Sequence, residues 1–292
     1  MDQVTLPSPS KINLYLEVLG RRDDGYHEII SIAVLTELCD TISLERRARG
    51  IVVEVADPRV PSGRQNLCYR AADLLLRHCG VATGIDIRIE KRIPVSGGMG
   101  GGSSNAAATL WGLNLMYQLG RSREELMGLG NELGSDVPLF FSRGAAFVRG
   151  RGERVEEMPS LSPRWLVIAN PGIEVSTASI YGRLRLPLTS ERVGIRMRAL
   201  FESGQEDAAL SRCFNRLEDV VLRAYPAVAE LKQRMSEQGA GPVLVSGSGP
   251  TVFGFMKDAR MAKRVASALA RTGVRAVACR TMDRNPLLEV TI

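Results

Sequence analysis

Along residues 12–18 the apolar side chains Ile12, Leu14, Leu16 and Val18 fall on alternate positions, the period of a strand with one buried face. The alternation recurs over 84–90, where Ile85, Ile87 and Ile89 are interleaved with Asp86, Arg88 and Glu90, and β-branched residues are dense over 29–44 and 51–55. The first ninety residues therefore predict four or five strands, interrupted by one helix over about 66–79. The pattern then turns helical over 103–119 and 123–133, the latter opening on Ser122 and Glu125 at capping-box spacing. Extended segments return over 138–148 and 165–169.

The short, polar, proline-containing stretch 159–163 marks a domain junction near residue 160, giving units 1–160 and 161–292. In the second unit helices are predicted over 191–201, 208–223, 228–238 and 259–271. Strands are predicted over 243–246, 251–256, 276–282 and 287–292. Both units mix helices with mainly antiparallel sheet, so the fold class is α+β rather than doubly wound.

Composition removes several alternatives. The uncharged run 93–120 opens with Gly and Ser, and its apolar part, 106–119, falls short of the roughly 20 residues that a bilayer requires, so a buried helix is expected and no membrane association. The N-terminus shows no basic and apolar leader pattern. Five cysteines without a C-x-x-C pair predict free thiols and a cytoplasmic setting. Only two histidines exist, and His27-Glu28 has Ser31 where a zincin helix needs its second histidine. A net charge of +6 is compatible with nucleic acid or with an anionic small substrate, but the aromatic residues, 5% of the chain, do not interleave with the basic clusters, so a phosphate-binding cleft is expected and no nucleic-acid partner.

The most informative segment is PVSGGMGGGSSNAAA, 94–108, which follows a strand and runs into a helix. Glycines reach φ > 0 and leave the backbone bare, so successive N–H groups can turn onto phosphate oxygens, aided by the free amides and dipole of the helix end. It is neither a Walker A loop, which needs Lys after the glycines where Ser103 and Ser104 stand, nor a Rossmann fingerprint. A helix end contributes up to about 2 kcal/mol per anion. A triphosphate therefore implies Mg²⁺ as well, with the hydroxyls of Ser103 and Ser104 as candidate ligands and nothing in the sequence to choose between them.

Three segments, PSPSKIN at 7–13, the glycine loop and VSGSGPT at 245–251, together with GSDVP at 134–138, resemble the GHMP kinases in type and order over nearly the whole chain. The resemblance implies a two-domain α+β fold, with an N-terminal ribosomal-protein-like domain for ATP binding and catalysis and a C-terminal ferredoxin-like domain. It implies ATP-dependent phosphorylation of a small-molecule alcohol by a monomer or homodimer. The detail of LYLEVLGRRDDGYHEI, 14–29, is similar to one branch whose acceptor is a cytidine diphosphate-linked alcohol. Ser96 and Met99 stand where that branch often has Gly and Leu.

By the same resemblance Asp136 is the catalytic carboxylate and Lys11 its cationic partner. Pro94, Gly97, Gly98, Gly100, Gly101, Gly102, Ser103, Ser104 and Asn105 cradle the nucleotide, Asn13, Asp136 and Thr177 contact the substrate, Tyr26 and His27 serve the cytidine base, and Tyr181 is a second stacking face or a core residue. Asn66 lies near adenine or ribose, or caps a helix. Two readings come from the residues themselves: strand periodicity turns Lys11 away from Ile12 and Leu14 toward a cleft, and Asn13 shares its face. Two rivals are weaker. Ser8-x-x-Lys11 imitates a serine acyl-transfer motif but lies on a strand instead of a helix start, and an RNA-binding protein would leave the glycine loop idle.

Overall fold

The computed structural model describes residues 2–184 and 192–291. In chain order the elements are β1 (Gln3–Arg21), β2 (His27–Arg47), β3 (Ile51–Val55), α1 (Leu67–His78), β4 (Gly84–Glu90), α2 (Gly101–Met116), α3 (Arg123–Leu133), a 3₁₀ turn (Pro138–Phe141), β5 (Ala145–Gly150) and β6 (Arg154–Glu157). The second half adds β7 (Trp165–Asn170), α4 (Thr177–Gly182), α5 (Arg192–Glu202), α6 (Glu206–Leu210), β8 (Phe214–Asn215), α7 (Glu218–Ala224) and α8 (Pro226–Glu237). It closes with β9 (Val243–Val245), β10 (Val252–Phe255), α9 (Ala259–Ala270), β11 (Arg275–Arg280) and α10 (Pro286–Glu289).

The first sheet runs β3-β4-β2-β1-β8, with β5 and β6 attached through β2; the second is β11-β7-β10-β9. Pairing is antiparallel except for β3 with β4 and β8 with β1. One face of the first sheet packs on α1, α2 and α3 through Leu6, Leu44, Ile85, Ile87, Leu110 and Leu113. Gly112 is glycine because Leu6 and Leu44 press on it, a Cβ there meeting Leu6 Cδ1 at 2.5 Å. The second sheet packs α8 and α9 against β7 and β10 through Val167, Val228, Leu231, Val252 and Val265.

β1 stays paired over 19 residues because register shifts at Pro9/Ser10, Asn13/Tyr15 and Val18/Gly20 let it bend with the sheet. It was expected to bury one face. Both are buried, Ile12 and Leu14 within the core and Lys11, Asn13 and Glu17 toward the cleft and β8. The capping box forms as expected, with Ser122 Oγ accepting from Glu125 N at 3.1 Å and Glu125 Oε2 accepting from Ser122 N at 2.7 Å.

Four predicted elements differ. α2 begins at Gly101 instead of Ser103, because Gly100 at φ 70° lets the chain enter the helix inside the glycine run. The expected strand 138–148 starts only at Ala145, since Pro138 at the first position nucleates a 3₁₀ turn. The expected helix 208–223 breaks at Phe214–Asn215, where the chain pairs with Tyr15 and Leu16 of β1 and Arg216 N donates to Leu16 O at 2.8 Å. The expected strand 287–292 is instead helix α10, capped by Asn285, with Leu287 fully buried against the first core. Glu191 and Ile292, the ends of two predicted elements, lie outside the described residues. Among the described residues no helix is long and apolar enough to cross a membrane.

Candidate active site

Two cavities meet at the glycine loop. The smaller, about 410 Å³, is lined by Arg59, Asn66, Leu67, Cys68, Lys91, Pro94, Gly97, Gly101, Gly102 and Asn105. The larger, about 990 Å³, is lined by Lys11, Asn13, Arg21, Tyr26, His27, Ser135, Asp136, Arg151, Thr177, Tyr181 and Ser248. Gly98, Gly100 and Ser103 face both, so the loop is the partition between them.

The loop is held in shape from three sides. Gly98 and Gly100 adopt φ 73° and 70°, and a Cβ on Gly98 would sit 2.2 Å from Ser246 O. Ser246 Oγ donates to Gly98 O at 3.1 Å, which brings the second glycine turn, between β9 and β10, against the first. Lys11 N donates to Met99 O at 3.1 Å and ties the loop to β1. Ser96, which stands where glycine is usual in the resembling branch, adopts φ 52°, a left-handed conformation that costs a side-chain-bearing residue about 1–2 kcal/mol.

The neighbouring helices α1 and α3 carry side-chain caps, Asn66 and Ser122, whereas no side chain caps α2. Its first amides, Gly101 to Ser103, precede the first intrahelical bond, from Ser104 N to Gly100 O at 2.9 Å, and open on the smaller cavity. Bare amides at a helix N-terminus beside a cavity form an anion site.

Behind the loop lies a polar network that sequence reading missed. Asp40, fully buried on β2, accepts from Arg92 N at 2.6 Å, Ile93 N at 2.8 Å, Asn105 Nδ2 at 2.9 Å and Lys91 Nζ. It thereby fixes both ends of the loop. Asn105 Nδ2 also donates to Ser8 Oγ at 2.8 Å, and Ser8 Oγ donates to Ser104 Oγ at 2.7 Å. Ser104 is thus fully buried inside this network and is removed as a metal-ligand candidate; Ser103 alone of the pair faces the cavities. Asn66 uses Oδ1 to accept from Cys68 N at 2.8 Å and Nδ2 to donate to Pro61 O at 2.6 Å, so it acts as the cap of α1 while walling the cavity. Burial pushes the Cys68 thiol up to about 12, which leaves it a wall residue, not a nucleophile.

In the larger cavity Lys11 Nζ donates to Asn13 Oδ1 at 2.8 Å and lies 3.9 Å from Asp136 Oδ2. Asn13 Nδ2 donates to Ser31 Oγ at 2.8 Å, which orients the amide so that its oxygen faces the lysine. Burial lowers the Lys11 pKa, and Asp136 opposes that shift. Asp136 itself is half-exposed on the turn between α3 and the 3₁₀ turn, a carboxylate in contact with solvent beside a buried cation.

The far end of this cavity is aromatic. The His27 and Tyr181 rings lie 4.9 Å apart at 34°, and Tyr26, on the hairpin between β1 and β2, is exposed with the Arg151 guanidinium 5.1 Å over its ring. Thr177 Oγ1 and Ser248 Oγ hydrogen-bond at 2.8 Å across the cavity wall. Burial and then the Arg21 charge lower the His27 pKa, so its ring is neutral at neutral pH. Arg21 and Arg151 were not singled out from sequence, whereas Ser135 and Ser248 lie in the GSDVP and VSGSGPT segments that were.

These features can be set beside known proteins. The model of the GHMP kinases N terminal domain matches residues 66–144, and that of the GHMP kinases C terminal domain matches residues 197–275. A 4-diphosphocytidyl-2-C-methyl-D-erythritol kinase of Shouchella clausii is 43% identical over 91% of this chain and 90% of its own. The chain belongs to the GHMP kinase family. A second kinase of the same name, from Pelotomaculum thermopropionicum, is 42% identical over 98% of this chain and 99% of its own. Among solved GHMP kinase structures, a 4-(cytidine 5'-diphospho)-2C-methyl-D-erythritol kinase superposes with a TM-score of 0.79 at 35% identity, covering 95% of this chain and 98% of that one. Homoserine kinase from Cytophaga hutchinsonii shares the fold, with a TM-score of 0.77 at 16% identity over 98% of this chain and 96% of its own. The two-domain α+β architecture is that of a GHMP kinase, and the chain is an ATP-dependent phosphotransferase.

Proposed function

We propose that this chain transfers the γ-phosphoryl group of ATP to the 2-hydroxyl of 4-diphosphocytidyl-2-C-methyl-D-erythritol, releasing ADP and the 2-phosphate, a step of non-mevalonate isoprenoid precursor synthesis. The observation that carries this reading is the shared wall: one glycine loop separates a nucleotide-sized cavity from a larger one with an aromatic end, and Lys11 and Asp136 sit on the acceptor side of that wall. Residues 1–160 then carry ATP binding and catalysis, and 161–292 contribute Thr177, Tyr181 and Ser248 to the acceptor cavity.

Phosphoryl transfer asks little covalent work of the protein beyond positioning, charge stabilisation and removal of the hydroxyl proton. The amides of 101–103 receive the phosphate oxygens, and the α2 dipole favours their charge. Asp136 accepts the proton of the acceptor hydroxyl as its oxygen bonds to the γ-phosphorus and the bond to the β-γ bridging oxygen breaks. Lys11, held by Asn13 and 3.9 Å from Asp136 Oδ2, stabilises the negative charge growing on the attacking oxygen. At the other end the cytosine ring packs against Tyr26 and Tyr181, with neutral His27 at its edge, and Arg21 and Arg151 flank the path of the diphosphate.

Mg²⁺ fits this site as a companion of the phosphates. Among the described residues no group of three or more His, Cys, Asp or Glu could hold it, and Ser103, which faces both cavities, with Asp136 in the larger one would offer it protein oxygens, a sparse donor set suited to an ion that keeps water and phosphate ligands. When bound it neutralises phosphate charge that the helix end alone cannot. All five cysteines are free thiols, in keeping with a cytoplasmic enzyme.

A coupled ADP-release assay across a panel of alcohols tests the proposal. Turnover with the cytidine diphosphate-linked methylerythritol, and at least about 100-fold less with homoserine, mevalonate or the cytidine-free alcohol, is expected. Equal or better turnover with any of the latter would refute the acceptor assignment.

A further inference from the structure

Asp136 stands on a turn whose downstream end is closed by a residue from the far end of the chain. Asn285, buried at 3% exposure, donates from Nδ2 to Phe140 O at 2.8 Å and to Ser142 O at 2.7 Å. These carbonyls belong to the last turn of the 3₁₀ segment, where they have no continuing helix to pair with. The same segment begins one residue after Val137, whose N donates to Gly134 O at 3.1 Å across the aspartate's turn. Its Phe140 ring is fully buried against the glycine loop, a Cβ on Gly100 falling 2.7 Å from Phe140 Cζ. One short segment thus carries both the ring that backs the phosphate loop and, at its head, the carboxylate.

The tail that brings Asn285 there is itself fastened to the N-terminal sheet and helices. Met282 N donates to Leu35 O at 2.9 Å, Leu287 is buried in the first core, and Trp111 Nε1 donates to Val290 O at 3.2 Å. Asn285 also uses Oδ1 to accept from Leu287 N at 3.1 Å as the cap of α10. Its side chain therefore joins two separable jobs, capping its own helix and clamping the catalytic turn.

We infer that Asn285 is a positioning residue for phosphoryl transfer, its paired bonds to Phe140 O and Ser142 O holding Asp136 and the glycine loop in register. The inference rests on the reading of Asp136 as the base. Phosphoryl transfer is sensitive to misplacement of about 1 Å, which costs about 100-fold in rate even when it originates away from the chemistry.

Asn285→Ser separates the two jobs, because Ser caps a helix as well as Asn but cannot reach both carbonyls. The expected result is a fall in kcat of about 10-fold or more, with KM for ATP and for the acceptor each within about 3-fold of wild type. In the Asp136→Asn background the same change is expected to add less than about 2-fold, since the residue acts through the aspartate. Leu287→Ala, which loosens the tail without removing the clamp, is expected to lower Tm but to keep kcat within about 2-fold, measured well below its own Tm. Should the Ser variant not fold at the assay temperature, Asn285→Asp, which keeps shape and cap but has no N–H to donate, is read by the same criteria.

Wild-type kcat in the folded Ser or Asp variant, an equal loss in Leu287→Ala, or full additivity with Asp136→Asn would overturn the inference. If Asp136→Asn alone keeps its kcat, it is the reading of the base that fails, and the two failures are told apart by that single control.

Discussion

Gly102 has no need, within the protein, to be glycine. It lies in the first turn of α2 without the positive φ of Gly98 and Gly100, and a Cβ built on it meets nothing closer than Leu67 Cδ1 at 3.6 Å, an ordinary contact. Its open side faces the smaller cavity. Gly102→Ala should therefore stabilise the folded chain, by up to about 1 kcal/mol from helix propensity, raising Tm by about 1–3 °C for a protein of this size. If phosphates approach the amides of 101–103, the added methyl occupies the space of an oxygen and removes at least one charge-assisted hydrogen bond, worth about 1.5–3 kcal/mol. That converts to a rise of about 10- to 150-fold in KM for ATP, with little change for the acceptor. The assay is coupled ADP release with each substrate varied in turn, beside a thermal melt. A higher Tm with an unchanged KM for ATP would refute the argument, because it would leave the glycine without a ligand. Gly98→Ala is the contrasting case: its Cβ would lie 2.2 Å from Ser246 O at φ 73°, so the protein itself resists, and both Tm and kcat should fall.

Tyr26→Ala should raise KM for the cytidine substrate about 10-fold or more by removing one stacking face, with kcat within about 3-fold; an unchanged KM would separate Tyr26 from base recognition. Because burial and Arg21 hold the His27 pKa below 6.5, the neutral ring persists into mildly acid solution. KM for the cytidine substrate should stay flat from about pH 8 to 6.5 and rise only below that, and Arg21→Ala should move the acid limb upward. In the same window stability should decline as pH falls below 6.5, since the unfolded chain takes up the proton first; a KM that already rises between about pH 7.5 and 6.5 would contradict the neutral assignment.

How much of this was legible in the residues varied with the range of the forces involved. Lys11 and Asn13 share a face because strands repeat every two residues, and the structure brings them to 2.8 Å. The capping box is local chemistry and forms as spelled. The glycine loop was visible as a backbone made bare on purpose, but its partners were not. Asp40 and Lys91 are more than fifty residues apart and are joined only when β2 and the end of β4 come together, so neither stood out from the strands that carry them. Ser104 and Asn105 follow the glycines in sequence, but their partners Ser8 and Asp40 lie more than sixty residues away and were not legible; Ser104 is buried among them, while Asn105 bonds Asp40 and still lines the smaller cavity. Residues 208–223 have a helical pattern, and tertiary pairing of Phe214–Asn215 with β1 overrides it. Asn285 looks like any residue before a proline until the carbonyls of Phe140 and Ser142, some 140 positions away, are brought beside it.

Transfer as proposed depends on a carboxylate, Asp136, facing the terminal phosphorus across the glycine wall. Replacing Asp136 by Asn keeps the shape of the turn and removes the base, so the decisive measurement is kcat for Asp136→Asn with saturating ATP and cytidine diphosphate-linked alcohol. A loss of about 100- to 10,000-fold, with KM for ATP within about 3-fold of wild type, is the predicted result. A kcat within about 3-fold of wild type would contradict it.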